Sequence, residues 1–521
     1  MIYLDHAATT PLATEVLQAM LPWLQEGYGN PASEHTHGLR ARAAVEKARA
    51  EIAALIGATP EEIVWTSGAT ESNNLAIKGA LEFRGARNAH IVTSRIEHKA
   101  VLDTCRHLET QGARVTYLKP DASGRITAEQ VLQALTPDTA LVSLMWVNNE
   151  IGTINEVETL APQLRERGIL FHVDAVQAVG KLSINLAQTP IDLLSVSAHK
   201  LYGPKGVGAL FVRKRPRARL APQIHGGGHE QGMRSGTLPT HQIAGIGEAF
   251  RLAGLSMTED AQRLTALRDD LWQRLQVLPR IHLNGEDASR APHILNVSFE
   301  GAEGESLRAM LGDVAVSSGS ACSSATREPS FVLRALGRDD ELAGSSLRFS
   351  LGRNTTAQEI ELAAARVIEA VSWLRSLSPE SKDSASSAIA GNGGNAFGYA
   401  EPIWQRFSAP THVGELNGEG VLTAEAGSPA AKSLLRLQVK LGEGAVAEVA
   451  FRAYGCPTAI AVGEWLAASL IGQKPADWAQ LTASKIRQAL EIPDDRAHCA
   501  LMGEDAVQAL AALFSKPDLA S

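Results

Sequence analysis

The sequence predicts an α/β protein: a large domain with a mainly parallel sheet covered by helices, a small α+β domain, then a separate α+β domain. Three observations predict this. From residue 63 to residue 174 short apolar runs alternate with helix-patterned stretches, as βαβ crossovers require. Beyond residue 226 the order changes to one long helical stretch followed by further strands. At residues 378–395 the composition turns to Ser, Gly and Asn with few large apolar residues, the composition of a flexible linker. The expected division is therefore 1–377, a linker at 378–397, and 398–521.

The elements follow in order. Residues 11–54 carry an Ala-rich helical pattern, and 63–66 read as a strand. Ser67-Gly68-Ala69-Thr70-Glu71-Ser72 turns into a helix through Leu81. Strands follow at 90–93, 114–118, 141–147 and 170–174, with helices at 100–110, from 128, and around 160–167. Apolar runs at 191–196 and 207–212 flank a Gly- and Pro-bounded turn that holds Lys200. A helical stretch covers 238–278, strands cover 295–299 and 314–316, and a last helix covers 356–377. Past the linker the chain opens loop-like. Residues 434–441 alternate as a strand, 447–453 form its hairpin partner, and helices cover 458–471, 485–490 and 505–514.

With 521 residues the chain can bury more than one core; 45% hydrophobic and 20% charged residues are ordinary for soluble protein. A net charge of -8 gives no general case for nucleic-acid binding. The basic run Arg213-Lys214-Arg215-Pro216-Arg217-Ala218-Arg219 reads first as a solvated loop and second as a docking site for an acidic partner. The N-terminus lacks the basic-then-apolar order of a secretory signal, and no apolar run is long enough to cross a bilayer. A cytoplasmic location without membrane partners is expected. Four cysteines, Cys105, Cys322, Cys456 and Cys499, include no C-x-x-C pair and imply no disulfide framework. Cys105 shares a helical pattern with Val101, Leu102 and Leu108 and is assigned to the core.

Lys200 is the chemical starting point. Held in a tight turn between strands, its amine is partly desolvated, which favours the neutral form that can make a Schiff base with an aldehyde. For any single lysine a surface turn is the commoner reading, so the assignment rests on its company. Asp174 ends a strand, where a carboxylate can keep a pyridine nitrogen protonated, although such residues more often cap helices. Ser67-Gly68-Ala69-Thr70 stands at a strand-to-helix turn whose free N–H groups suit a phosphate. Ser197 and His199 add donors, and Arg234-Ser235-Gly236-Thr237 is a second small polar turn with a cation. Together these look like an enzyme of pyridoxal phosphate.

The chain at this point resembles the cysteine desulfurases, pyridoxal-phosphate enzymes of the class V aminotransferase group, whose fold is the type I transferase fold. The matching segments include Tyr3-Leu4-Asp5-His6-Ala7-Ala8-Thr9-Thr10, Ser67 through Asn74, Glu97-His98-Lys99, Asn148-Asn149-Glu150-Ile151-Gly152 and His172-Val173-Asp174. They continue with Ala198-His199-Lys200-Leu201-Tyr202-Gly203-Pro204-Lys205-Gly206, Arg234 through Thr237, Ser317-Ser318-Gly319-Ser320-Ala321-Cys322, and Leu347 through Arg353. The resemblance implies that Lys200 holds the cofactor and then serves as acid and base. It implies that Asp174 pairs with the pyridine nitrogen, Gln177 bonds the phenolic oxygen, and His98 stacks on the ring and assists proton transfer. Ala69, Thr70, Ser197 and His199 are implied to bind the phosphate. Thr237 is implied to reach the phosphate of the other subunit's cofactor, which makes the active unit a homodimer. Asn149 contacts cofactor or substrate, and Arg348 clamps the carboxylate of L-cysteine with its guanidinium fork. Cys322, in a run of small residues expected to form a mobile loop, is implied to attack the substrate sulfur, to become a persulfide and to feed sulfur-accepting proteins or a scaffold.

Residues 398–521 resemble iron–sulfur scaffold proteins through Leu437-Gln438-Val439-Lys440, Ala453 through Ala461, and His498 through Ala506. Cys456 at a helix start is expected to have a lowered thiol pKa, and His498 and Cys499 are expected to precede a helix. Two thiolates and an imidazole suit an iron–sulfur cluster or zinc. Cys322 is counted with Cys456, His498 and Cys499 as a candidate metal ligand. The sequence departs from the family at Ala431, where the first cluster cysteine belongs, and at Ser433, where an aspartate belongs. A [2Fe–2S] site wants four protein ligands. Docking or reduced metal binding therefore ranks above full scaffold activity. The competing readings are a selenocysteine lyase or related β-elimination enzyme, and a sulfur or metal carrier platform.

Overall fold

The structure, a computed structural model, describes residues 1–85, 88–286, 289–319, 328–381, 395, 397–428 and 432–515. Its centre is a seven-stranded sheet in the order Ile63–Thr66, Gly208–Val212, Leu193–Ser197, Leu170–Asp174, Thr139–Met145, His90–Ser94, Arg114–Leu118. Gly208–Val212 runs antiparallel to both neighbours, and the other described ladders of this sheet are parallel. Helices cover both faces, which is why strands such as Thr139–Met145 are buried along their whole length and read as apolar runs instead of alternating ones. Six strands share one direction, so Thr66, Ser94, Met145, Asp174 and Ser197 all end at one edge. In open α/β sheets ligands bind outside that carboxyl edge.

Each expected strand of this sheet is present. The helical stretch from Pro11 is two helices, Thr14–Gln25 and Thr36–Ile56, because Gly27, Gly29 and Pro31 interrupt it. Both pack against the 36-residue helix Thr240–Leu275. Of the basic run, Lys214 to Arg217 and Arg219 are exposed as a solvated loop requires. Arg213 is structural: its guanidinium donates to the carbonyls of Ile191, Leu186 and Thr189 and lies over the Phe211 ring.

A smaller antiparallel sheet orders Ser346–Ser350, Ile294–Phe299 and Ile281–Leu283, and beside it Ile2–Tyr3 pairs with Val314–Ala315. The strand Ser346–Ser350 was not among the expected strands. Its serines look like turn residues, yet all five positions are buried, and Ser346 Oγ meets Ser298 Oγ at 2.6 Å.

From residue 398 the chain builds a three-stranded antiparallel sheet, Val421–Ser428, Ser433–Gly442 and Ala445–Tyr454, with the expected hairpin between the last two. Two expectations are corrected. The opening is not all loop: Glu401–Ser408 is a helix and Val421–Ser428 a strand whose inward face carries Leu422 but otherwise Ala424 and Ala426, too small to signal strongly. The last helix begins at Ala497 and not at residue 505, so His498 and Cys499 lie in its first turn and do not precede it. Gly503 lies inside this helix. It is the close-approach point of two helices, where a Cβ would sit 2.6 Å from Val462 Cγ1.

This C-terminal region packs onto the small sheet. One buried apolar cluster runs from Leu4, Leu295 and Phe349 through Trp373 and Leu377 to Phe407, Leu435, Phe451 and Trp478. Trp373 meets Phe407 edge-on at 6.0 Å. Arg452 Nη1 donates to the carbonyls of Ser376, Ser378 and Ser381, which fixes the first residues after the helix Ala357–Leu377. The rest of the expected linker lies almost wholly outside the described residues. Among the described residues no helix is long and apolar enough to cross a membrane.

Candidate active site

The carboxyl edge of the large sheet opens on a cavity of about 440 Å³. Ten of the residues assigned from the sequence line it: Ala69, Thr70, His98, Asn149, Asp174, Gln177, Ser197, His199, Lys200 and Arg348. They come from six separate stretches, five of them at or soon after the end of a strand of the large sheet, or at the helix start that follows it, and the sixth, Arg348, inside a strand of the small sheet.

Lys200 closes the one-turn helix Ala198–Lys200 directly after Leu193–Ser197. Its Nζ donates to the carbonyls of Ala7 at 2.7 Å and Ala8 at 2.6 Å, so the N-terminal segment forms part of the wall. Lys181 Nζ donates to the Lys200 carbonyl at 2.9 Å. Burial pulls the Lys181 amine down to about 7, and the charges of Arg353 and Lys200 push the same way.

Asp174 accepts from Asn73 Nδ2 at 2.8 Å and from the Val176 N–H at 3.1 Å. Glu97 lies behind it, accepting from the Met145 N–H and Ser94 Oγ, both at 3.0 Å. Its Oε2 has no partner among the described residues. Burial pushes Glu97 up to about 8, and the charge of Asp174 adds to that. Glu97 therefore keeps its proton at neutral pH.

His98 caps the helix Lys99–Thr110, its Nδ1 accepting from the Ala100 N–H at 3.1 Å. An accepting Nδ1 places the ring proton on Nε2. At the other end of the cavity Ser67 to Thr70 lead into Ala69–Phe83, whose first N–H groups are free for an anion. Gly68 has φ +150, and a Cβ there would meet no protein atom within 4 Å, so the space beside it belongs to the cavity. His199 Nδ1 lies 3.2 Å from Thr9 Oγ1. Burial lowers His199 to about 4, with Lys200 and Lys205 contributing, so it is a neutral ring.

Gln177 donates to the Ala7 carbonyl at 3.0 Å and meets His293 Nε2 at 3.1 Å through its Oε1. Arg348 reaches in from the small sheet, donating to the Asn149 carbonyl at 2.8 Å and to Asp5 Oδ1 at 2.7 Å. Its Nε has no partner among the described residues. Thr237 is exposed and does not line this cavity, and Cys322 lies outside the described residues. Asp5, Asn73 and Glu97 were not assigned, although each sits inside a motif already quoted; Lys181 and His293 carried no sequence signal. Cys105 is buried in the core as expected.

The residues present fit pyridoxal phosphate. An amine, a doubly hydrogen-bonded carboxylate and an anion cradle beside an open glycine face one cavity of suitable size.

The second cysteine cluster is built differently. Cys456 caps the helix Pro457–Leu470, and its Sγ lies 3.8 Å from that of Cys499. Cys499 Sγ lies 3.4 Å from His498 Nε2. The Cys499 thiol, hydrogen-bonded to the Cys456 sulfur, holds Cys456 below the usual thiol value and is itself pushed up. Around the pair, Arg496 binds the Glu305 carboxylate, as does the Tyr399 hydroxyl, and Ser306 Oγ donates to the Gly455 carbonyl at 2.8 Å. Among the described residues no group of three or more His, Cys, Asp or Glu could hold a metal ion. Ala431 falls outside them, but Pro429-Ala430-Ala431 offers no donor side chain. The described residues do not fit the cluster or zinc expected from Cys456, His498 and Cys499.

Residues 2–362 match the family model described as aminotransferase class-V, and residues 398–518 match that of the NifU-like N-terminal domain. The chain is 58% identical over 381 residues to the cysteine desulfurase IscS of Pseudomonas aeruginosa strain LESB58, covering 73% of this chain and 94% of that protein. Against the cysteine desulfurase IscS of Azotobacter vinelandii the identity is 56% over the same length and coverage. Among solved structures, a NifS-like protein aligns with a TM-score of 0.67 at 37% identity, covering 71% of this chain and 99% of that one. A structure described as SspA in complex with cysteine aligns with a TM-score of 0.61 at 41% identity, covering 67% of this chain and 99% of that one.

Proposed function

This chain belongs to the aminotransferase class-V family, and from that premise we propose that it is a pyridoxal-phosphate-dependent cysteine desulfurase that turns L-cysteine into L-alanine and supplies the sulfur for iron–sulfur cluster assembly. One observation carries the reading: Lys200, Asp174 and Arg348 converge on a single cavity from three distant parts of the chain. The activity is supported by the similarity to cysteine desulfurases, and the use of the sulfur by the NifU-like region fused behind.

Bound in this cavity, pyridoxal phosphate supplies an electrophilic carbonyl and an electron-withdrawing ring. Asp174, with the proton-bearing Glu97 behind it, would pair with the ring nitrogen. The helix N-terminus at Ala69 and Thr70, with Ser197 and His199, binds the phosphate, and Gln177 bonds the phenolic oxygen. Arg348 orients the cysteine carboxylate, with Asn149 beside it. The Lys200 amine removes and returns protons at the substrate carbon, and His98 Nε2–H lies on the same wall. The Cys322 thiolate attacks the substrate sulfur: an S–S bond forms, the C–S bond breaks, and the carbon takes a proton to become alanine.

The same reading includes a domain at 1–377, a linker at 378–397 and a second domain at 398–521, a cytoplasmic homodimer, and Thr237 serving the partner's phosphate site. An exposed Thr237 away from its own cavity supports that last assignment. The test is alanine release from L-cysteine by the full chain loaded with pyridoxal phosphate. No alanine overturns the reading, and full sulfur transfer by Cys322→Ala overturns the persulfide step.

A further inference from the structure

The cysteine pair of the C-terminal region has a geometry of its own. Sulfurs 3.8 Å apart need only a small approach to reach the S–S bond of about 2.05 Å. The two thiols are not equivalent. Cys456, at the helix cap, keeps 9% of its surface exposed, whereas Cys499 is fully enclosed behind it. The exposed sulfur can be reached from outside, and the enclosed one waits behind it. The pair also lies against the helix Gly304–Met310: Ser306 bonds the carbonyl just before Cys456, and Glu303, Glu305 and Arg496 are the charges that act on its sulfur. That helix belongs to the part of the chain that matches the aminotransferase class-V model.

We infer that Cys456 and Cys499 are a dithiol that reduces sulfane sulfur: Cys456 takes the sulfur as a persulfide, and Cys499 displaces it as hydrogen sulfide by closing a Cys456–Cys499 disulfide. The inference rests on the desulfurase reading for its sulfur source. In the first step the Cys456 thiol takes the outer sulfur of a persulfide donor, and the donor's thiol is regenerated. In the second, Cys499 Sγ attacks Cys456 Sγ; their S–S bond forms and the bond to the outer sulfur breaks. The outer sulfur gains two electrons and the two thiols lose them. The proton of Cys499 ends on the departing sulfur, and His498 Nε2, 3.4 Å away, is placed to carry it. A small monothiol of the cytoplasm then reduces the disulfide by exchange. No electron carrier is needed for the release itself, and no metal takes part.

The test uses the full chain loaded with pyridoxal phosphate, reduced, freed of reductant and given one equivalent of L-cysteine, so that no small-molecule thiol remains once the substrate is consumed. Alanine, sulfide and the non-reduced peptide masses are read together. Wild type should give alanine, close to one sulfide per chain, and a peptide joining Cys456 to Cys499. Cys499→Ser should form alanine yet release at least tenfold less sulfide, with a persulfide left on Cys456; Cys499→Ala, checked for a native melting curve, should do the same. Alanine formed while both cysteines stay thiols, or equal sulfide from wild type and Cys499→Ser, overturns the inference. If no alanine forms, the desulfurase reading has failed and inorganic trisulfide becomes the probe. In that case sulfide release with disulfide closure upholds the dithiol, and two unchanged thiols overturn it.

Discussion

Asp5 Oδ1 stands 2.7 Å from Nη2 of Arg348, joining the first turn of the chain to the middle strand position of Ser346–Ser350. The arginine is 1% exposed, so its charge is balanced by Asp5 and oriented by the Asn149 carbonyl before any substrate arrives. A fork held at two of its nitrogens presents its remaining edge in a fixed direction.

Arg348→Lys should therefore damage binding more than chemistry. A lysine is a point charge and cannot hold Asp5, the Asn149 carbonyl and a substrate carboxylate in one plane. KM for L-cysteine should rise by about tenfold or more, equivalent to about 1.4 kcal/mol, with a smaller change in kcat. Steady-state alanine production checks this, and an unchanged KM would remove Arg348 from substrate binding.

Asn73→Ala tests the cofactor side. It deletes the 2.8 Å donor to Asp174 Oδ2 and leaves a buried carboxylate oxygen without it. Loss of one partner of a buried polar pair costs about 1–3 kcal/mol. Cofactor affinity, read by absorbance during titration with pyridoxal phosphate, should weaken by roughly fivefold to a hundredfold at that cost.

Glu97→Gln tests the buried acid. The folded protein holds the Glu97 proton up to about 8, whereas an unfolded glutamate loses it near 4.5. Between those values the native state binds the extra proton, so wild-type stability falls as pH rises, by up to about 1.4 kcal/mol per unit from this group. Glutamine carries no such proton. The pH dependence of the denaturant midpoint should become flatter in the variant between pH 5 and 8, and an identical slope would contradict a neutral Glu97.

The central sheet was legible because buried parallel strands write near-continuous apolar runs, and because Gly and Pro punctuate them. The site was legible where its residues follow those strands directly, as at Ser67 to Thr70, Asp174 and Lys200. What escaped was settled by tertiary packing. Ser346–Ser350 hides an edge strand behind its serines, although it is buried and Ser346 bonds to Ser298 of the neighbouring strand. Lys181 looks like any lysine after a glycine, and only the fold brings its amine to the Lys200 carbonyl. Gly503 has the look of a helix stop, and only its contact with Val462 reveals a packing requirement.

Gly503→Ala follows from that contact. The new methyl would sit 2.6 Å from Val462 Cγ1 and 3.1 Å from Ile486 Cδ1, closer than packed carbons approach. Overpacking of this kind costs about 1–3 kcal/mol. Chemical denaturation should show a loss in that range, and unchanged stability would mean that the helices Pro457–Leu470 and Ala497–Phe514 separate freely.

The apolar cluster that passes without a break from Leu295 through Trp373 to Phe451 has a consequence for the cell. Two regions that share one core, being parts of one chain, are made in equal numbers at every level of expression. Neither can be diluted away from the other by growth, nor drawn off alone by a competing partner. Gene dosage, which for separate proteins sets a ratio, here sets only an amount.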